Sequence, residues 1–160
     1  MAKKKYYQGF KGANIGFNVT DNSGAILEAT DEQIEKALIE CGIKVQEYAT
    51  KNTTTDTGRL KASITFSTSV ETRQSSEKVK NKHKDGRPNK DNQAKKKDGT
   101  PKGEAEKHTL YVGTNVEYAP YVEMGTSKTD PKPFLEPAFV NQIDLFQQIF
   151  DDNFKKLDGN

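Results

Sequence analysis

Asp56-Thr57-Gly58 is the first place where residue types and spacing could do chemistry. An Asp-Thr-Gly triplet marks the aspartic proteases, including small ones active as dimers, in which two carboxylates are brought together and one pKa is raised. That chemistry needs an apolar strand leading into the aspartate. Here Asn52-Thr53-Thr54-Thr55 leads in and the cationic Arg59 follows. The triplet is therefore read as a turn, with Asp56 as an N-cap and Gly58 allowing a close backbone approach. The two histidines, His83 and His108, have no Cys or second His at metal spacing and no Ser-His-Asp grouping. Both are expected to face solvent. Gly9-Phe10-Lys11-Gly12 lacks the strand and helix context of a phosphate loop. No catalytic residue, metal or cofactor is expected.

Two other groups of residues are suited to binding. From Tyr118 to Phe139 the chain carries Pro120, Pro131, Pro133 and Pro137, which restrict the backbone and make a rigid connector. A helix is expected to begin at Pro137 and hardly before it. Within the connector Glu123 stands between Val122 and Met124, near Tyr118 and Tyr121. It either pairs with Arg59 or a backbone amide of a neighbouring copy, or fixes the connector by a hydrogen bond within the chain. Tyr121, Met124 and Phe134 pose the same alternative, because aromatic and Met side chains enrich interface cores as well as domain cores.

The second group is basic. Residues 73–107 hold twelve Lys and Arg against six Asp and Glu, a net of +6, whereas the other 125 residues carry 13 basic and 17 acidic side chains, a net of −4. Lys78, Lys80, Lys82, Lys84, Arg87, Lys90, Lys95, Lys96 and Lys97 are the candidates for contact with DNA or an acidic partner. Such contact has no sequence preference and depends strongly on salt. The alternative is a solvated loop. A dedicated nucleic-acid module would interleave aromatics with these lysines, and the segment has none.

The elements that must position these groups follow from periodicity. Met1 to Gly12 reads as an arm. Asn14 to Thr20, a turn at Asp21-Asn22-Ser23-Gly24 and Ala25 to Glu28 read as a β-hairpin that must lie on the main sheet or another subunit. Thr30-Asp31-Glu32-Gln33 is a capping box. Ile34, Leu38, Cys41, Val45 and Tyr48 then make a helical stripe, weakened at Gly42. Ile64, Phe66, Thr68 and Val70 alternate as a strand, expected to pair antiparallel with His108 to Asn115. The intervening basic insert has too little aliphatic content to order its tip. From Pro137, Phe139, Ile143, Phe146, Phe150, Phe154 and Leu157 form a closing helix. The expected fold is α+β: a small antiparallel sheet packed against an N-terminal and a C-terminal amphipathic helix, with a long basic loop at the tip of a β-hairpin.

Composition bounds the rest. The 160 residues suit one domain, but 32% hydrophobic content is thin for a full core. No run approaches the ~18 apolar residues of a membrane span, and no apolar signal region follows Met1 to Lys5. Synthesis in the cytoplasm is expected. Cys41 stands alone on an apolar helix face and is read as a small buried hydrophobe.

Tyr118-Ala119-Pro120-Tyr121-Val122-Glu123-Met124-Gly125-Thr126 followed by Pro133-Phe134-Leu135-Glu136-Pro137-Ala138 resembles the "YAPYVEFGT … PFLRPA" signature of a tail-component family of long-tailed bacteriophages. Asp56-Thr57-Gly58-Arg59-Leu60-Lys61-Ala62-Ser63 is similar to the family's upstream "P-V-D-T-G-x-L-x-x-S". The resemblance covers residues 30–157, interrupted by the basic insert at 73–107, and leaves 1–29 outside. It implies a structural virion protein of the HK type in the siphophage neck, not an enzyme, made in the host cytoplasm. That protein would form a homo-oligomeric ring, a hexamer, joining the DNA-filled head to the tail and completing the tail. Its partners would be other copies, a head-connector or stopper ring, a tail terminator or tube protein, and DNA without sequence preference. Arg59, Tyr118, Tyr121, Glu123, Met124 and Phe134 would make the subunit contacts. A small nucleic-acid-binding protein, and less so a dimeric aspartic protease using Asp56, are the alternatives.

Overall fold

The computed structural model describes residues 14–18, 27–54, 56, 58–80, 82–89, 96–101 and 103–155, with the backbone alone at 14–18, 27–29 and 96–97. The expected arm, the turn at residues 21–24, Lys90, Lys95, the side chains of Lys96 and Lys97, and Leu157 lie outside the described residues.

Strand β1 (Asn14–Asn18) is followed by the long helix α1 (Leu27–Asn52), the short α2 (Arg59–Ser63), β2 (Thr65–Ser67) and β3 (Thr72–Gln74). Then come α3 (Lys96–Gly99), β4 (Thr109–Gly113), α4 (Ala119–Met124), α5 (Glu136–Val140) and α6 (Ile143–Lys155). The strands form one antiparallel sheet in the order β1-β4-β2-β3. The α+β architecture and the pairing of β2 with β4 match the reading of the sequence. So does a place for β1 on the main sheet.

The core lies between the sheet and the helices. Ile34, Leu38, Cys41 and Val45 of α1 are buried against Phe66, Leu110 and Val112, with Phe134, Leu135, Ala138 and Ile149 closing the other side. Fully burying a side chain such as Phe66 or Leu110 stabilises the fold by about 1.5–3 kcal/mol. Cys41 has no exposed surface, and burial pushes its thiol up to about 12. Gly42 is more than a weak helix residue. A Cβ there would meet Phe66 at 2.8 Å and Leu110 at 2.9 Å, so the glycine sets how closely α1 approaches the sheet.

Several boundaries depart from the periodic reading. Helix α1 begins at Leu27, so Leu27 and Glu28 are helical and not a hairpin strand, and the buried Thr30 lies inside the helix rather than capping it. Strand β2 ends at Ser67, because Thr68 turns the chain. Its hydroxyl accepts from the N–H of Val70 and Glu71, and Val70 is left 69% exposed at the turn. The chain then returns as β3, so the basic segment leaves the sheet from its edge. Helix α4 forms despite Pro120, which occupies the first turn, where no intrahelical N–H is required. The closing helix is broken at Asn141-Gln142, which separates α5 from α6. That break shifts the helical phase: Ile143 is 60% exposed, while Ile149 and Asn153 are buried.

Candidate assembly surface

The connector is built around Glu123. Its Oε2 accepts from the backbone N–H of Phe134 at 2.9 Å and Leu135 at 3.1 Å, and its Oε1 accepts from Glu136 at 2.8 Å. Three amides at the start of α5 thus converge on one carboxylate from α4. Lys132 donates its N–H to the Val122 carbonyl at 2.8 Å, and Gly125, at φ 74°, lies so close to Pro131 that a Cβ would clash with its nitrogen at 2.7 Å. The intrachain alternative for Glu123 is therefore realised.

This clamp orients the side chains of α4. Phe134 has no exposed surface, and its side chain belongs to the core. Tyr121 and Met124 are 62% and 73% exposed, and Tyr118 is on the margin of exposure. Tyr118, Tyr121 and Val122 line a shallow cavity of about 250 Å³ closed by Thr126, Thr129 and Lys132. Burial pushes the Tyr118 hydroxyl above its ordinary pKa.

Arg59 lies beneath this surface. It is buried, and its Nε and Nη2 donate to Asp98 at 2.9 and 3.1 Å, while Nη1 and Nη2 donate to Glu117 at 3.1 Å. Its guanidinium also lies 5.9 Å from the centre of the Tyr118 ring. Hydrogen bonding to Asp98 holds Arg59 even further above the titratable range than usual. Sequence reasoning named Arg59 but missed Asp98, which sits in a lysine-rich run and carries no periodic signal. The end of the basic segment is accordingly part of the fold. Asn115 donates its N–H to the Asp98 carbonyl at 2.7 Å, and a Cβ on Gly99 would meet Thr65 and Gln74 at 2.6 Å.

The other end of the segment is held by Asp56. Its Oδ2 lies 2.6 Å from His83 Nδ1, and its Oδ1 accepts from the N–H of Lys84 at 2.9 Å. Asp56 does not cap α2, whose first flanking residue is Gly58 at φ 88° with no side-chain cap. The His83 and Arg87 backbones pair around Gly86, and Lys82 bridges to Pro88, so residues 82–89 form a small hairpin, while residues 90–95 of the expected tip lie outside the described residues. Lys78, Lys80, Lys82, Lys84 and Arg87 are all exposed. The Lys84 amide and His83 hold the Asp56 carboxyl below its ordinary 3.8. An aspartic protease needs one carboxyl raised, so this environment works against the protease alternative.

His108 is not solvent-facing either. It has a positive φ of 57°, its N–H is accepted by Glu35 at 2.9 Å, and its Nε2 is 2.9 Å from Asp31, close enough for charge pairing but not aligned as a hydrogen bond. Lys107 also binds Asp31 and holds that carboxyl below its ordinary value. No group of three His, Cys, Asp or Glu among the described residues could hold a metal ion. No helix among them is long and apolar enough to cross a membrane.

Fold and polar nodes together define a small α+β domain that presents a preorganised surface from a clamped connector. The family model described as "Bacteriophage HK97-gp10, putative tail-component" matches residues 18–125, more than half of the chain. The chain belongs to this family, and its role is that of a structural tail component of the virion. The match begins before α1 and ends at Gly125, short of the Pro133 to Ala138 motif. Comparison with curated proteins and with solved structures gives no match.

Proposed function

We propose that the chain is a neck subunit that assembles with copies of itself into a ring, a hexamer, joining the DNA-filled head to the tail and completing the tail. Its neighbours in the axis would be a connector or stopper ring on the head side and a terminator or tube protein on the tail side. The observation that carries this reading is the exposure of Tyr121 and Met124 on a connector fixed by Glu123. Large apolar side chains held rigid at a surface lose little conformational entropy when a partner covers them. The role requires no reaction. The hairpin at 82–89 would present its lysines to passing DNA, a loose and salt-dependent contact.

Light scattering of the purified protein at low and at physiological salt tests the ring. Wild type is expected as a multi-subunit particle. Tyr121→Ala/Met124→Ala is expected as a monomer with an unchanged unfolding midpoint, because both side chains are exposed. A wild-type monomer at every concentration and salt would sink the reading.

A further inference from the structure

We propose, on the basis of the ring reading above, that copies join edge to edge, β1 of one copy adding to the β3 edge of the next. Among the described residues both edges of the sheet are open, since β1 pairs only with β4 and β3 only with β2. The phase of the β2–β3 ladder shows which groups face outward. Ser75 donates to Ile64 and Thr68 to Glu71, so the hydrogen-bonded pair between them is Arg73 with Phe66. The backbone N–H and C=O of Thr72 and Gln74 therefore point away from β2, toward the open edge.

Strand direction supplies the second argument. Each neighbouring pair in the sheet is antiparallel, and with four strands the two edges run in opposite directions. A copy rotated about an axis roughly along the strands then brings β1 beside β3 antiparallel, the pairing already used throughout the sheet. Head-to-tail rings need two different surfaces that fit each other, and two edges of opposite direction meet that condition, whereas a two-fold dimer would join like edges.

The ground beside β3 is also incompletely satisfied. A cavity of about 320 Å³ borders this edge, lined by Thr50, Lys51, Lys61, Arg73, Ser75 and Ser76 among others. The Thr50 hydroxyl is buried there without a hydrogen-bond partner. An incoming strand offers carbonyls to the outward amides of Thr72 and Gln74.

The test uses the full chain. Thr72→Cys is combined in turn with Asn14→Cys, Gly16→Cys and Asn18→Cys, and mild oxidation is followed on non-reducing gels. Cys41 is buried and stays silent. At least one pair is expected to give a ladder of covalent oligomers, with Thr72→Cys alone giving none. Thr72→Pro, which removes an outward N–H and the Thr72 hydroxyl's 2.8 Å bond to Ser67 but spares the backbone bonds of the β2 ladder, is expected to unfold cooperatively but to lose the multi-subunit particle in light scattering, with Thr72→Val, which loses the hydroxyl alone, still assembling. A Thr72→Pro protein that still assembles, or rings in which no β1 cysteine reaches Thr72→Cys, overturns the edge pairing and leaves the ring intact. A wild type that never assembles overturns the ring reading and the edge pairing with it.

Discussion

Arg59 grips the Asp98 carboxylate with two hydrogen bonds, Nε to Oδ2 at 2.9 Å and Nη2 to Oδ1 at 3.1 Å, across 39 residues of sequence. The pair ties α2, in the Asp-Thr-Gly motif, to α3 at the end of the basic segment. Arg59 also holds Glu117, the residue before Tyr118. One guanidinium thus connects both family motifs and the insert between them.

Asp98→Asn is expected to destabilise the protein by about 3 kcal/mol, at the low end for breaking a buried pair because Glu117 still neutralises Arg59. Arg59→Lys is expected to cost a similar amount, since an ammonium cannot reproduce the planar fork. Urea unfolding midpoints measure both. A change within ~0.5 kcal/mol for either would show that the node does not hold the fold.

The basic segment divides at α3. Replacing residues 80–94 by a short Gly-Ser linker is expected to leave unfolding cooperative, because those that are described have exposed or partly exposed side chains. Extending the deletion to residue 102 removes Asp98, leaves Arg59 with Glu117 but without its buried carboxylate, and uncovers Thr65. Calorimetry of the two deletions should separate them by several degrees, and equal midpoints would contradict the assignment of α3 to the core.

Gly42→Ala sets two known effects against each other. Helix propensity favours alanine by about 1 kcal/mol. The added Cβ, under 3 Å from Phe66 and Leu110, costs about 1–3 kcal/mol by overpacking. The expected outcome is a lower thermal midpoint, whereas a stabilised variant would mean that α1 sits further from the sheet.

The Asp56 carboxyl titrates below its ordinary 3.8 in the folded chain. Its contacts with the Lys84 amide and His83 therefore contribute stability above that value, and the contribution is lost as pH falls through the folded pKa. Carboxyl NMR titration should place the Asp56 midpoint below 3.8, and His83→Ala should bring it part of the way back. A midpoint at or above 3.8 would remove the clasp from the description of the hairpin.

Much of the fold is legible without coordinates. The apolar spacing from Ile34 to Tyr48 marks α1, the alternation at Ile64 and Phe66 marks β2, and Leu110 and Val112 mark β4. The prolines after Tyr118 mark a connector, and the charge of residues 73–107 marks a separate segment. Each of these signals is local, because a helix repeats every 3.6 residues and a strand every two, so neighbours in sequence already determine which face is apolar. The family motifs are equally local.

Tertiary structure decided what those residues do with their polar atoms and which of them remain outside. Glu123 spends its carboxylate on three amides of its own chain, and Phe134 enters the core while Tyr121 and Met124 stay exposed. Asp98 leaves a lysine-rich run to meet Arg59, and Asp56 turns from a helix cap into an anchor for His83. The break at Asn141-Gln142 turns Ile143 outward. These outcomes depend on partners 11 to 58 residues apart and on the fit of α1 against Phe66 and Leu110. No period in the sequence encodes such distances, since side chains that far apart meet only once the sheet and helices have packed.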